Sequence, residues 1–105
     1  MKAQATKLNR TSKLNDVRAR PIHFELDQAP ARSVCIAGSF NEWHPNVTPM
    51  ISVGGGRWLK ELTLSPGTYE YRFVVDGNWM SDPNNAETKP NPFGESNSVL
   101  SVASA

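Results

Sequence analysis

From Pro21 onward, apolar and polar positions alternate in short runs broken by turn residues, and no segment keeps a 3.6-residue apolar period for more than a turn or two. Ile22, Phe24 and Leu26 alternate with His23 and Glu25, which predicts a first half-buried strand. Ser33 to Ala37 predicts a second, apolar on both sides and therefore central. A third is expected over Met50 to Val53, ahead of a hairpin turn at Gly54-Gly55-Gly56, where three residues without a Cβ free the backbone. Arg57 to Leu64 then places Trp58, Leu62 and Leu64 on one face, which makes Trp58 a core residue. Ser65-Pro66-Gly67 turns the chain into a strand over Thr68 to Val75. The Pro- and Asn-rich stretch from Asp82 to Pro92 is not expected to hold a regular ladder, and Ser98 to Val102 supplies a last strand. Six to seven antiparallel strands of this length predict an all-β, immunoglobulin-like sandwich.

The strand over Thr68 to Val75 assigns sides. Tyr69, Tyr71, Phe73 and Val75 alternate toward the core, so Glu70, Arg72 and Val74 face outward. Asp76-Gly77-Asn78 is a tight-turn signal, and it starts a return strand with Trp79 opposite Phe73 or Val74, close to Arg72. Trp43 closes a second polar motif, Gly38-Ser39-Phe40-Asn41-Glu42-Trp43. Both indoles fall where loops are expected, and a small domain leaves so large an apolar ring outside its core mainly when another molecule covers it. A ligand with a flat apolar face and a hydroxylated edge, as in a pyranose ring, suits such platforms. For Trp43 a role as a core lid also stands, because it follows a central strand by only a few residues.

The 105 residues fit one domain and a single core, without the material for the deep walls of a catalytic barrel. The single cysteine, Cys35, lies in an apolar run, excludes an internal disulfide and reads as an inert core residue. With His23 in a strand and His44 before a proline there is no metal-ligand spacing, and no cofactor is implied. Glycoside cleavage needs two facing carboxylates, whereas Asp76 belongs to a turn and Asp82 opens an Asp-Pro loop; the reading is therefore not an enzyme. The net charge is +1, but residues 1–20 carry six basic side chains against Asp16, while the remainder carries five basic and nine acidic. Residues 1–20 lack apolar periodicity and read as a flexible basic arm ahead of a binding domain over 21–105. Such an arm can touch nucleic acid or an acidic partner, but a solvated tail is the simpler reading, and neither nucleic acid nor a membrane is the expected partner. The expected compartment is the cytoplasm, with organelle import left open and disfavoured by an arm poor in serine.

The run from Val34 to Val102 resembles a family 48 carbohydrate-binding module, an early-set sandwich similar to the glycogen-binding domain of the AMP-activated protein kinase β-subunit and to the N-terminal domain of isoamylases and branching enzymes. The matching segments are Gly38 to Trp43, then Pro66 to Trp79, then Asp82-Pro83, then Asn97-Ser98-Val99-Leu100, in order and at family-like spacing. In kinase-type members two tryptophans, a lysine, a leucine and an asparagine contact α-1,4-linked glucose, and these fall on Trp43, Trp79, Arg72, Phe93 and Asn97. Arg72 departs from the lysine, Phe93 from the leucine, and Glu95 stands where a small hydroxyl residue is usual. Asn97 has a competing role, bonding backbone at the start of a strand. The resemblance implies non-catalytic binding of glycogen or starch-like α-glucan, with a glucan-metabolising enzyme as a further partner. The alternative is a protein-interaction module of the same fold that docks such an enzyme or a kinase without binding sugar itself.

Overall fold

The computed structural model describes residues 17–104. The arm expected over 1–20 lies outside the described residues as far as position 16, and Arg20 is already the first residue of a strand. Eight strands follow in order: β1 (Arg20–Asp27), β2 (Val34–Gly38), β3 (Ile51–Ser52), β4 (Arg57–Leu64), β5 (Gly67–Val75), β6 (Asn78–Met80), β7 (Thr88–Pro90) and β8 (Ser96–Val102). They form two antiparallel sheets, one in the order β1-β4-β3 and the other in the order β2-β5-β8-β7, with β6 paired to β5. The architecture is the all-β sandwich that the alternating pattern implies.

In three places the strands depart from the sequence pattern. The stretch from Asp82 to Pro92 holds β7 after all, because Thr88 to Pro90 can add three residues to the edge of β8, where the missing N–H of Pro90 is harmless. β2 stands at the end of its sheet order rather than in its middle. Its outer edge is satisfied instead by the chain at Thr48 to Met50: Ile36 N–H donates to the Thr48 carbonyl at 2.9 Å and Met50 N–H to the Val34 carbonyl at 2.7 Å. The next two residues then pair with β4, so the chain crosses from one sheet to the other at Met50. Cys35 is half-buried rather than core; it pairs with Val74, and burial pushes its thiol pKa up.

Phe24 and Leu26 of β1, Val34 and Ile36 of β2, and Tyr71, Phe73 and Val75 of β5 meet between the sheets, each at most 8% exposed. Trp58, 7% exposed, joins them from β4, opposite Leu26, and its indole N–H donates to the Gln28 carbonyl at 3.2 Å. Gly54, Gly55 and Gly56 adopt φ of 96°, 64° and 80°, which lets the β3–β4 hairpin close without Cβ strain. Tyr69 is only half-buried at the end of its alternating set.

Tyr71 ties the core to the loop that follows β6. Its ring meets Phe24 edge-on at 5.2 Å and 80°, and its hydroxyl donates to Asp82 Oδ2 at 2.6 Å. Asn85 donates to the same hydroxyl at 3.3 Å and to the Val99 carbonyl at 2.8 Å, while the Asp82 N–H donates to the fully buried Ser98 Oγ at 2.8 Å. Burial first, and the bond to Asp82 second, hold the Tyr71 hydroxyl well above the ordinary tyrosine value.

Two outcomes are expected from this packing. Trp58→Ala should destabilise the domain by about 3 to 5 kcal/mol in urea unfolding, as a core truncation that also strands the Gln28 carbonyl. Because the folded Tyr71 pKa is raised, its contribution is complete below the unfolded value of 10 and is lost as pH rises beyond it. Parent stability should accordingly fall above that pH by up to about 1.4 kcal/mol per unit from this group, and Tyr71→Phe should lack that share of the slope.

Candidate functional site

The outer face of β5 forms the floor of a cavity of about 790 Å³. Trp43, Arg72, Trp79, Phe93 and Asn97 all line it, together with Glu70 and Glu95. Each arrives by a different local device.

Trp79 comes from β6, directly opposite Val74, because the Asp76-Gly77 turn returns the chain antiparallel after two residues. Asp76 fixes that corner, its Oδ1 accepting from the Arg32 and Ser33 N–H groups at 2.9 Å each. Trp43 comes from the turn after β2. The N–H groups of Asn41 and Trp43 both donate to the Gly38 carbonyl, at 3.0 and 2.9 Å, and Glu42 and Trp43 take left-handed φ of 58° and 61°. The Asn41 side chain holds the turn in that conformation: its Oδ1 accepts from Gly38 N–H at 3.0 Å, and its Nδ2 donates to the Ile36 carbonyl and to Thr48 Oγ1 at 2.9 Å each. Gly38 is obligatory here, since a Cβ would lie 2.6 Å from the Glu70 carbonyl and 2.9 Å from the Phe40 ring. The result brings the two indoles to a centroid separation of 6.5 Å with their planes tilted by 34°.

Phe93, 87% exposed, stands on the turn between β7 and β8. Asn91 closes that turn by accepting from the Phe93 N–H at 2.9 Å and the Glu95 N–H at 3.1 Å, an Asx-type arrangement. Asn91 Nδ2 also donates to Asn97 Oδ1 at 3.1 Å, and Asn97 Nδ2 to Glu70 Oε1 at 3.0 Å. Glu70 in turn faces Lys89 at 3.6 Å. Asn97 is thus buried and engaged with side chains, and does not serve as a backbone bridge.

Arg72 is on the expected face but more covered than alternation alone implies. It lies on the outer face of β5, yet it is only 9% exposed, because the Phe93 turn folds back over it. Its Nη1 donates to Glu95 Oε1 at 2.5 Å, and its Nε is sealed from solvent without a partner. Alternation along one strand reveals which face a residue occupies, but not what a loop twenty residues later places on top. Glu70 and Asn91 were not singled out from the sequence. The only signal for Asn91 was an asparagine two residues ahead of Phe93, the spacing of an Asx turn.

The cavity therefore has an apolar rim of Trp43, Trp79 and Phe93 above a buried polar floor of Arg72 and Asn97. Among the described residues no group of three His, Cys, Asp or Glu side chains is placed to hold a metal, and no helix is long and apolar enough to cross a membrane. A family profile described as the glycogen recognition site of AMP-activated protein kinase matches residues 20–105. The chain belongs to this glycogen-recognition family. It is similar to Protein FLOURY ENDOSPERM 6, chloroplastic, of Oryza sativa subsp. japonica, 37% identical over 73 residues, which cover 70% of this chain and 13% of the rice protein. It is also similar to 5'-AMP-activated protein kinase subunit beta-2 of Homo sapiens, 35% identical over 66 residues, 63% of this chain and 23% of the subunit. Among solved structures, maltogenic amylase from S. marinus shares the fold with a TM-score of 0.70 at 21% identity, covering 81% of this chain and 14% of that one. The glycogen-recognition module thus spans less than a quarter of each of these relatives.

The split between rim and floor has a stability signature. Trp79→Ala, at a site 40% exposed, should change the unfolding free energy by less than about 1 kcal/mol. Arg72→Ala should cost about 1 to 3 kcal/mol, since it removes a buried stem and the partner of Glu95; thermal denaturation of the two variants checks the contrast.

Proposed function

We propose that this chain binds α-1,4-linked glucan, glycogen or starch-like, without cleaving it. The observation that carries the reading is the 34° tilt between the Trp43 and Trp79 planes at 6.5 Å, with Phe93 across the same cavity. Parallel coplanar rings suit a straight chain such as cellulose, whereas tilted ones suit successive sugars of a chain that curves, as α-1,4-glucan does. Trp43 and Trp79 stack on neighbouring glucose units, Phe93 presses on the chain from the opposite wall, and Arg72 and Asn97 hold the floor at the right depth. Membership of the glycogen-recognition family supports the same ligand.

A catalytic role is not supported by the carboxylates in the cavity. Glycoside cleavage needs two carboxyl groups facing each other across the scissile bond, both available to the substrate. Here Glu70 faces Lys89 and Asn97, and Glu95 faces Arg72. An enzyme partner, a kinase or a glucan-metabolising enzyme, is supported by the family's description as the glycogen recognition site of AMP-activated protein kinase, and the rice relative's chloroplastic name supports organelle import over the cytoplasm.

Stacking should dominate the energetics, at roughly 2.5 kcal/mol for about 100 Å² of ring covered against about 1 kcal/mol for a hydroxyl hydrogen bond. The expected affinity for one short chain is weak, between about 10 μM and 1 mM. The domain should co-sediment with glycogen or amylopectin and not with cellulose. In calorimetry with β-cyclodextrin, Phe93→Ala and Trp43→Ala should weaken binding comparably, and Arg72→Lys by less than about 1 kcal/mol. Protein that stays in the supernatant at high glycogen would refute the glucan reading, and unimpaired binding by Phe93→Ala would remove Phe93 from the site.

A further inference from the structure

In the Arg72–Glu95 pair the more exposed partner is the residue to which the resemblance assigns no contact. The Arg72 side chain is 11% exposed and the Glu95 side chain 57%. Nη1 of the guanidinium is committed to Glu95 Oε1, and Nε is closed off from solvent altogether. A ligand entering the cavity therefore meets the carboxylate first. One Arg72 bond occupies one of about four lone-pair sites on that carboxylate, so the rest remain available as acceptors.

We propose that Glu95 is the specificity-determining polar contact of the site, held in place by Arg72, and that it selects neutral, hydroxyl-bearing glucan over glucan carrying phosphate. The inference rests on the glucan reading and deepens it. A carboxylate is an acceptor without a donor, so it matches adjacent ring hydroxyls, which can both donate to it. It does not match a phosphate ester, which carries about −1.5 to −2 charge at neutral pH and offers only acceptors. Among the described residues that line the cavity Arg72 is the one cation, 11% exposed and paired with Glu95; Glu70 adds a second carboxylate, 3.6 Å from Lys89. The described lining thus offers an added anion no cation that is not already paired with a carboxylate.

The test is calorimetry of parent, Glu95→Gln and Glu95→Asp with two ligands, maltoheptaose and maltoheptaose bearing one phosphate monoester. The parent should prefer the neutral ligand by about tenfold or more at low salt, a preference that shrinks as salt screens the carboxylate. Glu95→Gln should narrow the preference to within about threefold and lose its salt dependence, while Glu95→Asp retains it. A purely structural role for Glu95 would weaken both ligands by one factor. An unchanged ratio in Glu95→Gln, or a parent that prefers the phosphorylated chain, therefore overturns the proposal while leaving glucan binding intact. A parent that binds neither ligand overturns the glucan reading and this inference with it.

Discussion

The register of β5 against its neighbours is the constraint on which the rest of the molecule depends. Phe73 pairs with Met80 and Val74 with Trp79 on one edge; Tyr71 pairs with Ser98 and Glu70 with Val99 further along. Because side chains alternate along a strand, a slip of one residue would send Arg72 into the core and Tyr71 into the cavity. The register is pinned from both sides of the sheet. Tyr71 and Phe73 pack edge-on at 5.8 Å in the core, and on the other face Glu70 joins Asn97. Core and site are two faces of one strand, so the same pairing that stabilises the sandwich aims the cavity.

The polar groups of the site serve mostly as scaffolding. Asn91 shapes the Phe93 turn, Asn97 fastens it to β5 through Glu70, and Asn41 holds Trp43 in a backbone conformation that a non-glycine residue avoids on its own. Each asparagine supplies a donor and an acceptor within a single short side chain, which lets Asn41 and Asn91 satisfy a turn's backbone groups and a neighbour at once and lets Asn97 join Asn91 to Glu70. The aromatic rings, having no such obligations, are left free at the surface.

Much of this was legible in the sequence because it depended on short-range rules. The alternation in Tyr69 to Val75, the Asp76-Gly77-Asn78 turn and the grouping of Trp58 with Leu62 and Leu64 are local patterns, and the strands they predict are present. The resemblance brought together five residues, four from three of the matching segments and Phe93 from the loop between them, and the fold places all five around one cavity. What escaped was whatever depends on chain distant in sequence. The cover over Arg72, the pairing of β7 with β8 and the edge of β2 filled by Thr48 to Met50 each require knowing where a later or earlier loop comes to rest.

The tilted indoles have a consequence at the scale of the polymer. In the proposed reading Trp43 and Trp79 engage the faces of repeating units, and every unit of a long homopolymer is equivalent to the next. A chain much longer than the cavity therefore offers many overlapping placements, and the chance of occupancy grows with chain length although no individual contact improves. Release from one placement leaves the neighbouring ones close at hand, so the module can shift along a strand without returning to bulk solvent. A shallow surface with the weak affinity proposed for one fragment would become, on a branched particle, a means of staying near it while remaining free to move.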